Sequence, residues 1–293
     1  GGSITQGFSA TDPEKCYAAR TFGWLKKVFP NTEFDYVNAG IGATDSQFGA
    51  ARVQEDLLPR LPDLGFVEFS VNDHSTPHFC ETYEGLVRQI YGSASAPAMV
   101  LIHNVYYDTG KSAAYYHAQI GRHYDLPCIS MQNSIYPAVA AGRLPAEKIT
   151  ADFLHPNDLG HEFMASVITN FLEKVIHDKT QEPQEIFPAP LTENAYEHCV
   201  RLQYFNSTPE KSGFEEDMTP QRDITDIFRN GWSAGEKGAY LEFTFRGTGA
   251  AVQYRRVKDG PAPIATAVVD ENLETACVLD AMFYLMPCSL MLL

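Results

Sequence analysis

Ala98-Met99-Val100-Leu101-Ile102-His103-Asn104-Val105 is an apolar run of strand length. It does not alternate polar with apolar residues, so it reads as a strand buried on both faces, the kind found in a parallel sheet. The periodicity around it keeps switching. Upstream, Leu64 to Val71 (LGFVEFSV) predicts a strand running into Asn72-Asp73, and Cys80 to Tyr91 predicts a helix. Downstream, Ser112 to Tyr124 predicts a helix, Pro127 to Ser130 a short strand, and Asn157 to His177 a long amphipathic helix. Nearer the N-terminus, Tyr17, Phe22, Leu25 and Phe29 fall at helical spacing after the start signal Asp12-Pro13-Glu14. Phe34 to Val37 predicts a short strand ending in a glycine-rich turn over 38–44. A helix from Gln47 to about Leu61 follows, ended by Pro59 and Pro62.

Strands and helices alternating in this way are βαβ units, so the first part of the chain is expected to be α/β, with a mostly parallel sheet covered on both faces. Binding sites on such sheets lie at the carboxyl ends of the strands. The polar turns 38–46 and 70–75 and the segment holding Ser3 all fall there. The strand that should precede Ser3 lies outside this numbering, so the sheet is expected to be one strand short and residues are expected to be missing upstream.

The pattern changes after Asp178. Residues 179–190 carry three prolines and no apolar period, and read as a linker between a first domain, 1–178, and a second, 191–293. Strands predominate in the second: Tyr196 to Phe205, Ala239 to Phe245, Ala250 to Arg255 and Ile264 to Asp270. They predict an all-β sandwich, jelly-roll-like in type. The closing run Ala281 to Leu293 is apolar but too short to span a bilayer and is broken by Pro287. Its abruptness suggests a truncated or aberrant end.

A formal charge of −15 and a pI near 4.9 argue against nucleic acid or an anionic membrane as partner, since both call for basic patches. Neutral or cationic substrates fit better. The six cysteines show no C-x-x-C spacing and read as reduced thiols of an intracellular, cytoplasmic protein.

Two short stretches carry chemistry. Gly1-Gly2-Ser3-Ile4-Thr5-Gln6-Gly7 is a backbone that turns sharply and leaves a hydroxyl unobstructed. Far downstream, Asp152-Phe153-Leu154-His155-Pro156 supplies a base and, three residues before it, a carboxylate able to orient it. A serine hydroxyl is a weak nucleophile until an imidazole takes its proton, and the imidazole needs an acceptor on its other nitrogen. Pro156 opens the following helix and pins His155 at its entrance. Gly42 and Asn72, in the two polar turns, are candidate donors to a developing oxyanion: one a backbone N–H with no side chain in the way, the other an amide ending an apolar strand.

Ser3 in GGSIT, Gly42 in NAGIGAT, Asn72 in SVND and His155 in DFLHP fall in the order of the four sequence blocks of the SGNH (GDSL-type) hydrolases, which residues 1–178 resemble. The resemblance implies a flavodoxin-like three-layer α/β/α domain. It implies Ser3 as nucleophile, His155 as base, Asp152 as orienting acid, and an oxyanion hole of the Ser3 amide, Gly42 and Asn72. It implies no cofactor. Gly2 departs from the family's usual Asp, and Ser70 from its usual Gly. An SGNH domain joined to a small β-sandwich resembles bacterial carbohydrate esterases that deacetylate plant mannan or xylan, with the sandwich similar to carbohydrate-binding modules. Trp232, flanked by glycine, is the candidate for stacking on a sugar. An SGNH lipase or thioesterase, or an inert carbohydrate-binding protein, are the competing readings.

Other motifs lead nowhere. Gly231-Trp232-Ser233-Ala234-Gly235 matches G-x-S-x-G, but every histidine precedes it. His161-Glu162 begins like a zinc motif, yet Ala165 stands where the second histidine belongs, so no metal site is expected. His74 and His78 read as exposed loop residues.

Overall fold

The structure, a computed structural model, describes residues 1–178, 187–219, 228–256, 263–280 and 288–292. It contains two compact units, Gly1–Val200 and Arg201–Leu293.

The first unit is built on three parallel strands, β1 (Leu64–Val67), β2 (Ala98–His103) and β3 (Cys128–Ser130), in the order β1-β2-β3. Phe66 pairs with Val100, and Ile102 with Ile129. Side chains alternate across a strand, and here both faces are covered. Met99 and Leu101 of β2 point into a cluster with Ala50, Val53, Tyr83, Leu86 and Ile120. These belong to α3 (Ser46–Asp56), α4 (Pro77–Tyr91) and α5 (Ala114–His123). Val100 and Ile102 point the other way, to Tyr17, Met164, Ile168 and Leu172 on α2 (Tyr17–Val28) and α8 (Asp158–His177). Three layers result, as the unbroken apolar run of β2 requires. Leu101 and Ile102 are fully buried, and truncating either to Ala would cost about 2–5 kcal/mol.

Short helices complete the unit: α1 (Ser3–Gln6), α6 (Met131–Ser134) and α7 (Tyr136–Ala140). Several expected boundaries move. The predicted strand at Phe34–Val37 forms no ladder, because none of the described strands runs beside it. α3 closes at Asp56, ahead of Pro59, and Leu58–Arg60 tightens to a 3₁₀ turn. β1 stops at Val67, short of the predicted Val71. α4 begins at Pro77, earlier than expected, where the Thr76 side chain caps the Phe79 amide.

The first unit runs to Val200, so residues 191–200, expected with the second domain, are held on the first. The buried Glu84 carboxylate accepts from the Leu191 and Thr192 amides at 2.6 and 2.8 Å. Arg88 pairs with Glu197 at 2.8 Å and donates to the Pro188 carbonyl. Tyr196 lies against Gly85, where a Cβ would stand 2.5 Å from it. The predicted strand from Tyr196 therefore does not form; its backbone is occupied by a helix face rather than by a ladder. The first eight residues of the expected linker lie outside the described residues.

The second unit is made of antiparallel pairs: β4 (Glu210–Ser212) with β7 (Tyr240–Glu242), β5 (Phe214–Glu216) with β6 (Trp232–Ala234), β8 (Ala251–Arg255) with β11 (Cys288–Leu292), and β9 (Ile264–Ala267) with β10 (Cys277–Asp280). Three of the four predicted strands have a counterpart here; each is shorter than its apolar run. Part of the closing apolar stretch, 281–287 and 293, lies outside the described residues. Among the described residues no helix is long and apolar enough to cross a membrane.

Candidate active site

Ser3 is the first residue of α1, directly after Gly2, and is 8% exposed. Its carbonyl accepts from the Gly7 and Phe8 amides at 3.1 and 3.0 Å, which fixes the turn beneath it. Gly7 closes that turn at φ 97°, a conformation that favours glycine. The Ser3 Oγ lies 2.9 Å from His155 Nε2.

His155 is held by the loop before α8. Asp152 Oδ1 accepts from the His155 amide at 2.7 Å, the Leu154 amide at 3.0 Å and the Thr150 hydroxyl at 3.0 Å. Its other oxygen lies 2.6 Å from His155 Nδ1. This arrangement settles the tautomer: Nδ1–H donates to the carboxylate, and Nε2 is left as an acceptor facing the serine hydroxyl. Burial raises the Asp152 pKa, but the bonds from the His155 ring and from the His155 and Leu154 amides outweigh it and bring it down to about 2. Phe153 carries the bend at φ 62°, and its carbonyl accepts from the Tyr107 amide at 2.7 Å.

Asn157 caps α8 through the Leu159 and Gly160 amides. Asp158 reaches back to the loop that follows Ser3, accepting from the Thr11 amide at 2.8 Å and from Lys15 Nζ at 2.7 Å. Hydrogen bonds from Lys15 and Thr11 hold its carboxyl well below the usual range. Serine and histidine, 152 residues apart, are thus tied together on two sides.

The oxyanion candidates are placed less simply. The Gly42 N–H donates to Gln6 Oε1 at 2.8 Å, so this donor is engaged by the chain itself. Asn72 Oδ1 is buried without a partner. It lies over Gly2, where an added Cβ would stand 2.1 Å from it. The missing side chain at residue 2 is therefore the space that the Asn72 amide fills. Ser70 is fully buried and its hydroxyl bridges to Asn104, taking the amide at 2.7 Å and donating to the carbonyl at 3.1 Å. A glycine there could not tie the ends of β1 and β2 in this way.

Three neighbours escaped the sequence reading: Gln6, Thr150 and Asp73. Asp73 joins the two polar turns. Its Oδ1 accepts the Ser46 amide at 2.8 Å, at the start of α3, and its Oδ2 lies 2.9 Å from His117 Nε2. His117 is fully buried and stacks on Tyr83 at 3.6 Å. Burial drives the two groups apart in pKa, Asp73 up to about 7 and His117 down to about 3. The only signal in the sequence was the adjacency of Asp73 to Asn72.

His74 is exposed, and His78 is partly buried with Nε2 2.9 Å from Gln47 Oε1. His161 is buried, accepting the Tyr17 amide at Nδ1, with Nε2 3.4 Å from the Phe8 carbonyl. Among the described residues no group of three His, Cys, Asp or Glu is arranged to hold a metal ion. Trp232 lies in the second unit on β6, edge-to-face with Phe243 at 5.3 Å. Ser233 sits on that same strand.

A three-layer α/β unit that brings a serine, a histidine and a carboxylate into hydrogen-bonded series carries the machinery of a serine hydrolase. The GDSL-like Lipase/Acylhydrolase family matches residues 1–163, more than half of the chain, and the chain belongs to that family. Two crystal structures of a two-domain esterase active on acetylated mannans are similar over 99% of this chain and 79% of theirs. One, co-crystallised with mannopentaose, is 51% identical with a TM-score of 0.91. The other is 49% identical with a TM-score of 0.93. No curated protein matches the chain.

Proposed function

We propose that this chain is a serine esterase that removes acetyl groups from acetylated mannan or its oligosaccharides, with Ser3 as nucleophile. One observation carries the substrate: 51% identity, over 99% of the chain, to an esterase active on acetylated mannans. The hydrogen-bonded series supports the chemistry. His155 Nε2 takes the Ser3 proton as Oγ attacks the ester carbonyl, while Nδ1–H stays on Asp152. The imidazolium then gives its Nε2 proton to the sugar oxygen as the C–O bond breaks, leaving acetyl on Ser3. Water attacks next, His155 takes its proton and returns one to Oγ, and acetate leaves. With a pKa of about 2, Asp152 stays ionised throughout the neutral range. The carbonyl oxygen in this scheme takes donors from the Ser3 amide, Gly42 and Asn72. Gln6 must leave Gly42 for that to happen.

The test is acetate release from acetylated galactoglucomannan and from acetylxylan, with Ser3→Ala alongside. Release from the mannan that vanishes in the variant is the expected result. Wild-type turnover of long-chain esters alone, with none of either polymer, would overturn the substrate. Undiminished release by Ser3→Ala would overturn the nucleophile.

A further inference from the structure

In this scheme His155 protonates the leaving alcohol, so the sugar oxygen must come within hydrogen-bond reach of Nε2, on the imidazole side of Ser3. In the same scheme the carbonyl oxygen turns to the Ser3 amide, Gly42 and Asn72. The sugar ring that carries the leaving oxygen therefore lies over whatever flanks His155. Phe8 flanks it in the open, 53% exposed, with its ring 4.5 Å from the His155 ring at 56°.

Phe8 is not a loose surface residue. Its amide donates to the Ser3 carbonyl at 3.0 Å. Its carbonyl faces Nε2 of the buried His161 at 3.4 Å. Gly7 before it and Ser9 after it sit at φ 97° and 69°. The backbone is fixed on both sides and the ring is left uncovered. Burying an aromatic side chain is normally stabilising, so a pinned, open ring beside the reacting atoms forgoes stabilisation that a partner can supply.

We infer that Phe8 is the platform for the pyranose ring bearing the scissile acetyl group, stacking on its C–H face and so selecting sugar acetates over acetates of small alcohols. This rests on the esterase reading above, and concerns the alcohol half of the ester only.

The experiment compares two substrates whose alcohols differ: acetylated manno-oligosaccharides and ethyl acetate, both followed by acid release. Phe8→Ala raises KM for the oligosaccharide roughly tenfold and leaves kcat/KM for ethyl acetate within about twofold. Phe8→Trp restores the oligosaccharide KM. Phe8→Leu, apolar but without a flat face, behaves like Phe8→Ala. Parallel losses on both substrates would overturn the inference, since Phe8 would then merely prop His155. So would an oligosaccharide KM that none of the variants changes, or a Leu variant equal to wild type. Failure of the unsubstituted protein on every acetylated glycan, with ethyl acetate still cleaved, would overturn the substrate reading and, with it, the platform assigned to Phe8.

Discussion

Gln6 stands on the same short helix as Ser3, and its Oε1 holds the Gly42 N–H at 2.8 Å. A carbonyl oxygen arriving at Gly42 competes with an acceptor already in place, so part of the binding energy of substrate goes to displacing it. A charged acceptor would compete harder, because hydrogen bonds to ionised groups are roughly twice as strong as neutral ones. Gln6→Glu is therefore expected to lower kcat/KM for ethyl acetate about tenfold at pH 7. Gln6→Ala, which empties the position, is expected to match or exceed the wild type. Steady-state kinetics of the three proteins decide it. An alanine variant as slow as the glutamate one would mean that Gln6 is a support for the turn and not a competitor.

The sheet and its helices meet the site through one buried pair, Asp73 with His117, which links the start of α3 and a face of α5 to the turn after β1. Its pH behaviour follows from the directions of the two shifts. Asp73 is raised from 3.8 to about 7 by burial, so its contribution to stability is present below about pH 4 and lost as pH rises toward 7. His117 is lowered from 6.5 to about 3, so its contribution is present above about 6.5 and lost as pH falls. Between pH 4 and 6.5 the two slopes oppose and largely cancel. Asp73→Asn should uncover the histidine and lose stability from pH 6.5 to 4.5, relative to wild type. His117→Gln should uncover the carboxyl and gain over the same interval. Urea midpoints at the two pH values measure this, and parallel profiles for both variants would refute it. This pair was invisible in the sequence, since nothing in the spacing of residues 73 and 117 marks a contact across two elements. What was legible came from periodicity: the unbroken apolar run of β2 announced a strand covered on both faces, and α2, α5 and α8 fall within a residue or two of their patterns. Phe34–Val37 and Tyr196–Phe205 have strand composition but no ladder, because a strand exists only through a neighbour that local sequence does not reveal. The same holds at the site. DFLHP states the Asp152–His155 turn in five residues, whereas the Gln6–Gly42 bond joins segments 36 residues apart.

At the scale of the whole chain, the decisive segment is 187–200, which composition assigned to a linker and a second domain and which the structure fastens to the first unit. Its anchor is Glu84, fully buried on α4, whose carboxylate accepts from the Leu191 and Thr192 amides, the Thr192 hydroxyl and Tyr124. Burial alone would raise the carboxyl's pKa. The bonds from Thr192, Tyr124 and the Leu191 and Thr192 amides win, and the group is held below its ordinary value. Without the segment, three of those four donors go, and Arg88 loses Glu197 and the Pro188 carbonyl as well. A buried polar group left without its partner costs about 1–3 kcal/mol, and more when charged. For a unit of this size each kcal/mol moves Tm by about 2–4 °C. A chain ending at residue 200 should therefore melt well above one ending at 186, by at least several degrees. Glu84→Gln in the 1–200 chain should recover part of that difference in the wrong direction, lowering Tm toward the shorter chain. Calorimetry on the three proteins is the measurement. Equal melting of the 1–186 and 1–200 chains would show that the segment only rests on α4, and that the catalytic unit owes it nothing.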